Sequence, residues 1–362
     1  MIKPKNIFGI FGAITVVCIY IIACTKDTPS EAPYVTTPYS PPVISGFRPM
    51  PQDSSNPMTL EGIALGEKLF FDPILSKNNT ISCSSCHKKE NAFSDPRKFS
   101  LGVNDSVGKR NALALINLAW YPNNFFWDGR AHSLNEQAVF PVEDTKEMNL
   151  SWTEAISRLQ NNATYTDMFK KAFNTKTITR DWVTKALTQY EKTLLSYNAP
   201  IDKYFRGEAP LDTFVLRGMQ VFNSERGDCF HCHTTKELFV HPTRFFVNNG
   251  MDLAPTGTEF ADLGLGAVTH NPADNGKFKL PTLRNLAFTA PYMHDGRFNT
   301  LDEVIESYNR GPQNSPTVEP ILIEKANIRL TNTGVWGLQL SPHEKFCLKQ
   351  FLLALSDSSF VN

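Results

Sequence analysis

Two short strings carry the chemistry of this chain. They are Cys83-Ser84-Ser85-Cys86-His87 and Cys229-Phe230-His231-Cys232-His233, and both read Cys-x-x-Cys-His. Two thiols at this spacing reach the two vinyl groups of one haem and form thioethers, and the adjoining His falls under the iron as its proximal ligand. A zinc site would need further ligands at finger or ribbon spacing, and a thioredoxin-like redox pair has no use for His twice. The repeat therefore points to two covalently bound haem c groups. One is held by Cys83, Cys86 and His87, the other by Cys229, Cys232 and His233.

The elements that must position these strings repeat as well. Leu65-Gly66-Glu67-Lys68-Leu69-Phe70-Phe71 precedes the first, and Leu216-Arg217-Gly218-Met219-Gln220-Val221-Phe222 precedes the second. Apolar residues recur at helical spacing in each, with a Gly that permits close approach to a packed helix or to the haem. Residues 179–196 read as an amphipathic helix leading to the break Asn198-Ala199-Pro200. Strand signals are scarce. The expected fold is mainly α, with two cytochrome c-like haem domains, long loops and few strands. The expected domains are 58–200, with the first haem motif, and 201–362, with the second.

Ahead of them, Lys3 and Lys5 precede an apolar run ending at Ala23-Cys24. This describes an export signal over residues 1–23, with a lipobox-like end that makes Cys24 a lipid-modified residue; an uncleaved membrane anchor is the competing reading. Residues 24–57, rich in Pro, Ser and Thr, read as a tether. Equal numbers of basic and acidic side chains, 36 of each, argue against nucleic acid as a partner. Cys347 and Met219 read as helix core, and His132, His241, His270 and His343 as exposed or structural.

Longer strings carry a resemblance. Phe126-Trp127-Asp128-Gly129-Arg130-Ala131, Glu136-Gln137-Ala138 and Glu147-Met148 resemble the first domain of bacterial di-haem cytochrome c peroxidases and MauG. Leu280-Pro281-Thr282-Leu283-Arg284-Asn285 and residues 290–297 resemble the second. The resemblance implies that Glu147, ten residues after the pocket residue Gln137, is the acid–base group over the first haem. A carboxylate there can take the proton from the near oxygen of peroxide and return one to the far oxygen. Glu136 and Glu143 leave the register open by a few residues. Trp127 is similar to the family's inter-haem tryptophan, although an aromatic is more often core. Asn111, Thr289 and Pro291 resemble a calcium site with hard oxygen ligands at the domain interface. His294 and Arg297 are expected around the second haem, Arg297 as a partner for a propionate.

Two positions depart from the family pattern. Many members close the first haem with a distal His, whose place falls near Val103, and no His occurs between His87 and His132. The first haem is then open at rest. In many members a Met lies fourteen residues after the His of the His-Asp-Gly string, where this chain has Tyr308. A Tyr there resembles MauG and would ligate the second haem as a hard, donating phenolate that depresses its potential. A helix Tyr packed on the haem edge is the plain reading, with Met293 and His294 as competing ligands.

The leading function is reduction of hydrogen peroxide with electrons from a small donor protein, a cytochrome c or cupredoxin. The alternative is a MauG-like peroxide-dependent oxidase that modifies aromatic residues of a protein substrate. A third reading is a non-catalytic electron carrier. The expected location is the periplasmic side of a bacterial membrane, with membrane contact only through the lipid at Cys24. The family also implies a homodimer.

Overall fold

Each Cys-x-x-Cys-His string follows a helix whose glycine lies against the backbone of a second helix. The structure is a computed structural model that describes residues 1–2, 34–233 and 246–362. Residues 36–362 form one compact unit, mainly helical, with eight helices of nine or more residues among those described. These are α1 (Leu60–Phe71), α2 (Trp152–Gln160), α3 (Ala163–Phe173), α4 (Arg180–Glu191), α5 (Thr213–Phe222), α6 (Leu301–Arg310), α7 (Pro320–Thr333) and α8 (Pro342–Leu353). The only named strands among the described residues, β1 (Phe246–Val247) and β2 (Phe278–Lys279), pair antiparallel.

Two hydrophobic cores organise this unit. The first gathers Leu65, Leu69 and Phe70 of α1 with Val183, Ala186, Leu187 and Tyr190 of α4. The second gathers Val221 and Phe222 of α5, Leu301 and Ile305 of α6, and Leu348 and Phe351 of α8. Their helices start on matched side-chain caps. Thr59 accepts from the Gly62 amide ahead of α1, and Asp212 accepts from the Phe214 amide ahead of α5. Thr300 and Glu303 form a capping box on α6, and Ser341 and Glu344 form another on α8.

The glycines explain how the helix pairs meet. A Cβ on Gly66 would lie 1.9 Å from the Ala186 carbonyl oxygen, and one on Gly218 would lie 1.9 Å from that of Cys347. In both cases the obstacle is backbone, which cannot step aside. Of the two partners the sequence allowed, the glycines face a helix. Gly218→Ala is therefore expected to cost about 1–3 kcal/mol by overpacking, despite the better helix propensity of Ala. Thermal unfolding of the holoprotein checks this; an unchanged melting temperature would show that α5 and α8 separate freely.

Two sequence expectations change. The helix expected to run to Ser196 ends at Glu191, because Asn117 captures the following chain. Its side chain accepts from the Ser196 amide and donates to the Ser196 carbonyl, while its amide donates to Leu194. The expected tether also does not extend to Pro57. Ile44, Met50 and Met58 form a small core with Ala119 and Trp120, and Phe47 meets the Trp120 ring edge-on at 5.3 Å. The Trp120 indole donates to the Arg48 carbonyl, and Arg48 donates back to the Trp120 carbonyl. Scattered apolar residues without periodicity suffice here because each packs individually. The export signal, Cys24 and His241 lie outside the described residues.

Candidate functional site

Cys83 and Cys86 sit on a four-residue helical turn, Cys83–Cys86, with both thiols free. Burial pushes the Cys86 thiol up to about 11 and that of Cys83 up as well. A thioredoxin-like pair needs the opposite shift, so this reading loses its support. His87 Nδ1 lies 3.0 Å from the Phe93 carbonyl oxygen. With the proton held on Nδ1, Nε2 carries the lone pair that a metal takes. Burial also lowers the His87 pKa and keeps the ring neutral.

A cavity of about 880 Å³ opens beside this turn. His87, Trp127, Gln137, Glu147, Thr289 and His294 are among the residues in its wall. Glu147 is half-buried, and burial, with the Asp144 charge adding to it, lifts its carboxyl to about 7. Glu136 is spent on the His132 amide at 2.8 Å, and Glu143 is exposed; neither lines the cavity. Glu147 is held there by a neighbouring loop. The Val103 amide donates to its carbonyl at 2.8 Å, and Ser106 Oγ donates to the Lys146 carbonyl. A Cβ on Gly102 would lie 2.1 Å from that Lys146 oxygen. Val103, the expected place of a distal His, is thus buried against the Glu147 loop and offers no metal ligand. Sequence reading did not single out Gly102, because its partner is remote in the chain.

The second site repeats the donor set. Cys229 and Cys232 have free thiols, and burial pushes Cys229 up to about 12. His233 is half-buried, and desolvation drives its pKa down to about 4, hence a neutral imidazole. Tyr308 projects from α6 into the same surroundings. Burial raises its phenol to about 12, the Cys232 and Cys229 thiolates would add to this, and a hydrogen bond with Asn249 opposes it. Asn249 also reaches Met293, its Nδ2 lying 3.6 Å from the sulfur. His294 lies elsewhere. Its ring stacks on Phe278 at 3.6 Å and meets Trp127 edge-on at 6.4 Å, in the wall of the first cavity.

In the wall of the first cavity Trp127 is fixed at both ends. Its indole donates to the Asn111 carbonyl at 2.8 Å, and its own carbonyl accepts from the Lys279 amide at 2.8 Å. The Asn111 amide in turn donates to the His294 carbonyl at 2.7 Å. Asn111 Nδ2 donates to the Arg97 and Lys98 carbonyls, so a cation there would have to take Oδ1. Thr289 and Pro291 line the cavity nearby, and the Ala290–Pro291 peptide is cis. Arg110 joins Asp128 to Asp262 through bonds of 2.6 to 2.8 Å. Arg297 is occupied by Asp295 and Asp252, so the expected propionate partner already has two carboxylates. Arg284, buried, pairs with Asp202.

The donor set fits haem c: two pairs of free thiols, each next to a half-buried neutral imidazole, with a cavity beside the first. Comparison with known proteins agrees. The family described as di-haem cytochrome c peroxidase matches residues 60–210. The methylamine utilization protein MauG of Methylophilus methylotrophus is 35% identical over 263 residues, 72% of this chain and 75% of that one. Cytochrome c551 peroxidase of Pseudomonas aeruginosa is 32% identical over 269 residues, covering 72% and 76%. The crystal structure of a MauG-like protein associated with microbial copper homeostasis superposes with a TM-score of 0.75 at 30% identity, covering 94% of this chain and 97% of that one. The chain belongs to the di-haem cytochrome c peroxidase family and is an oxidoreductase. Membership implies two haem c groups.

Proposed function

We propose that this chain reduces hydrogen peroxide at the haem held by His87, with electrons entering through the haem held by His233. The observation that carries this reading is Glu147, a half-buried carboxyl of raised pKa in the wall of the cavity that also contains His87 and Gln137. Haem bound there would supply the iron that binds peroxide and would pass on the donor's electrons that reduce it. Glu147 takes the proton from the oxygen nearer the iron and delivers one to the far oxygen as it leaves as water. Gln137 offers an amide to orient the peroxide. Trp127, clamped between Asn111 and Lys279, is the electron path between the two haems. Asn111 Oδ1 with the carbonyls of Thr289 and Pro291 holds calcium at the junction. The two haems divide the chain into domains 58–200 and 201–362, and Cys24 carries the lipid on the periplasmic side.

Steady-state oxidation of reduced cytochrome c by peroxide tests the reading. Turnover in the usual enzymatic range, about 1–10³ s⁻¹, is expected. Absence of turnover with any small cytochrome or cupredoxin would overturn it. Tyr308, half-buried near Cys229 and Cys232, favours the MauG-like alternative. That alternative predicts slow turnover and a spectral change that persists after one equivalent of peroxide, decaying only when a protein substrate is added.

A further inference from the structure

The cavity is lined by several cations, and Lys279 is the buried one that lacks a carboxylate. Arg110, Arg130, Arg284 and Arg297 each pair with a carboxylate, and Lys109 and Lys146 are exposed. Lys279 is 6% exposed and makes no ion pair among the described residues. Its ammonium lies 4.4 Å from the Tyr121 ring centroid and 5.0 Å from that of Phe125. Two aromatic faces compensate a buried cation only in part. A buried charge persists when paired with an opposite charge. Otherwise burial drives it neutral, and here burial pulls the Lys279 pKa down to about 7.

Its surroundings indicate where the missing anion sits. Lys279 follows Phe278 on β2, in the half of the chain that carries the second haem motif, yet its side chain enters an aromatic cluster of the first half. Tyr121 and Phe125 of that cluster share it with Leu134, one helical turn from Gln137. Lys279, His87, Gln137 and Glu147 all line one cavity. The cofactor implied for this cavity carries two carboxylates of its own. An anion placed there gives the ammonium a charged partner in a low-dielectric setting, where such a bond is strong.

We propose that Lys279 anchors a propionate of the haem held by Cys83, Cys86 and His87. This rests on the reading of that cavity as the first haem site. The same residue donates its backbone amide to the Trp127 carbonyl. One residue thus fastens the haem edge and the candidate electron path together, and a positive charge beside the propionate favours the reduced iron. Sequence reading expected Arg297 to hold a propionate of the second haem and did not single out Lys279; Asp252, the carboxylate that occupies Arg297 most closely, is remote in the chain.

The test replaces Lys279 in the full-length di-haem protein. Lys279→Met keeps the length and the aromatic contacts of the stem while removing the charge; Lys279→Arg keeps the charge. The readout is the midpoint potential of the high-spin haem by spectroelectrochemistry. Lys279→Met is expected to shift its ferric/ferrous equilibrium at least about tenfold toward ferric, about 59 mV for one electron. Lys279→Arg is expected to restore most of this, and the low-spin haem to move little in either. An unchanged high-spin potential in Lys279→Met, or a shift confined to the low-spin haem, would overturn the proposal. The propionate bending band in resonance Raman spectra of wild type and Lys279→Arg gives a reading that needs no charge-free variant. A band that moves between the two supports the contact, and an identical band contradicts it. Haem counting separates the underlying reading: one haem per chain would remove the first site itself, whereas two haems with unmoved potentials would remove only the anchor.

Discussion

Glu147→Gln is expected to lower kcat/KM for peroxide by about 10²–10⁴-fold while leaving both haem spectra in place. Gln keeps the shape and the polar head of the side chain but can neither accept nor return a proton at neutral pH. The loop that carries it is held by backbone bonds, from the Val103 amide to the Glu147 carbonyl and from Ser106 to the Lys146 carbonyl, which the substitution does not touch. A fall in activity therefore reports chemistry rather than collapse of the loop. The pH profile gives the sign. Burial places the carboxyl near 7, and the form that accepts the first proton is the carboxylate. Activity should rise with pH through an inflection near 7 and fall as the group is protonated below it. The variant should lose the inflection. Full activity in Glu147→Gln, or a profile that falls with pH through the same range, would remove Glu147 from the proton transfers.

The second large effect is expected at the other haem. Tyr308→Phe should abolish the low-spin signature of the haem held by His233 and raise its potential, since a donating phenolate stabilises ferric iron. A half-buried phenol raised to about 12 gives up its proton at neutral pH only to a strong Lewis acid, so the proposed bond would need ferric iron to form. The Asn249 amide assists by a hydrogen bond that favours the phenolate. Of the competing ligands, His294 is stacked on Phe278 in the first cavity, whereas Met293 shares Asn249 with Tyr308. Optical and spin-resonance spectra of the variant decide. An unchanged low-spin spectrum would take Tyr308 out of the coordination sphere and leave Met293 as the ligand to test.

Much of this was legible in the sequence because it is local. The Cys-x-x-Cys-His strings and the capping box of Thr300 and Glu303 each depend on a few neighbouring residues, whereas the glycines of α1 and α5 were visible as close-approach positions but not their remote partners, Ala186 and Cys347. The choice of Glu147 over Glu136 and Glu143 needed the structure, since it turns on which carboxylate lines a cavity. What stayed hidden is non-local. Gly102 matters for a carbonyl at Lys146, and Arg297 is consumed by Asp252. Lys279 gains its meaning from two rings of another region, Tyr121 and Phe125. The residues before Pro57 looked like tether because a strap of single anchors has no period to detect.

The central claim is that the two haem sites are unequal, one open beside Glu147 and the other closed by Tyr308. Electron spin resonance of the resting, fully ferric protein tests it most directly. The expected spectrum contains one high-spin and one low-spin ferric haem in equal amount, with no reduction needed to reveal the open site. Two low-spin haems at rest would contradict the account.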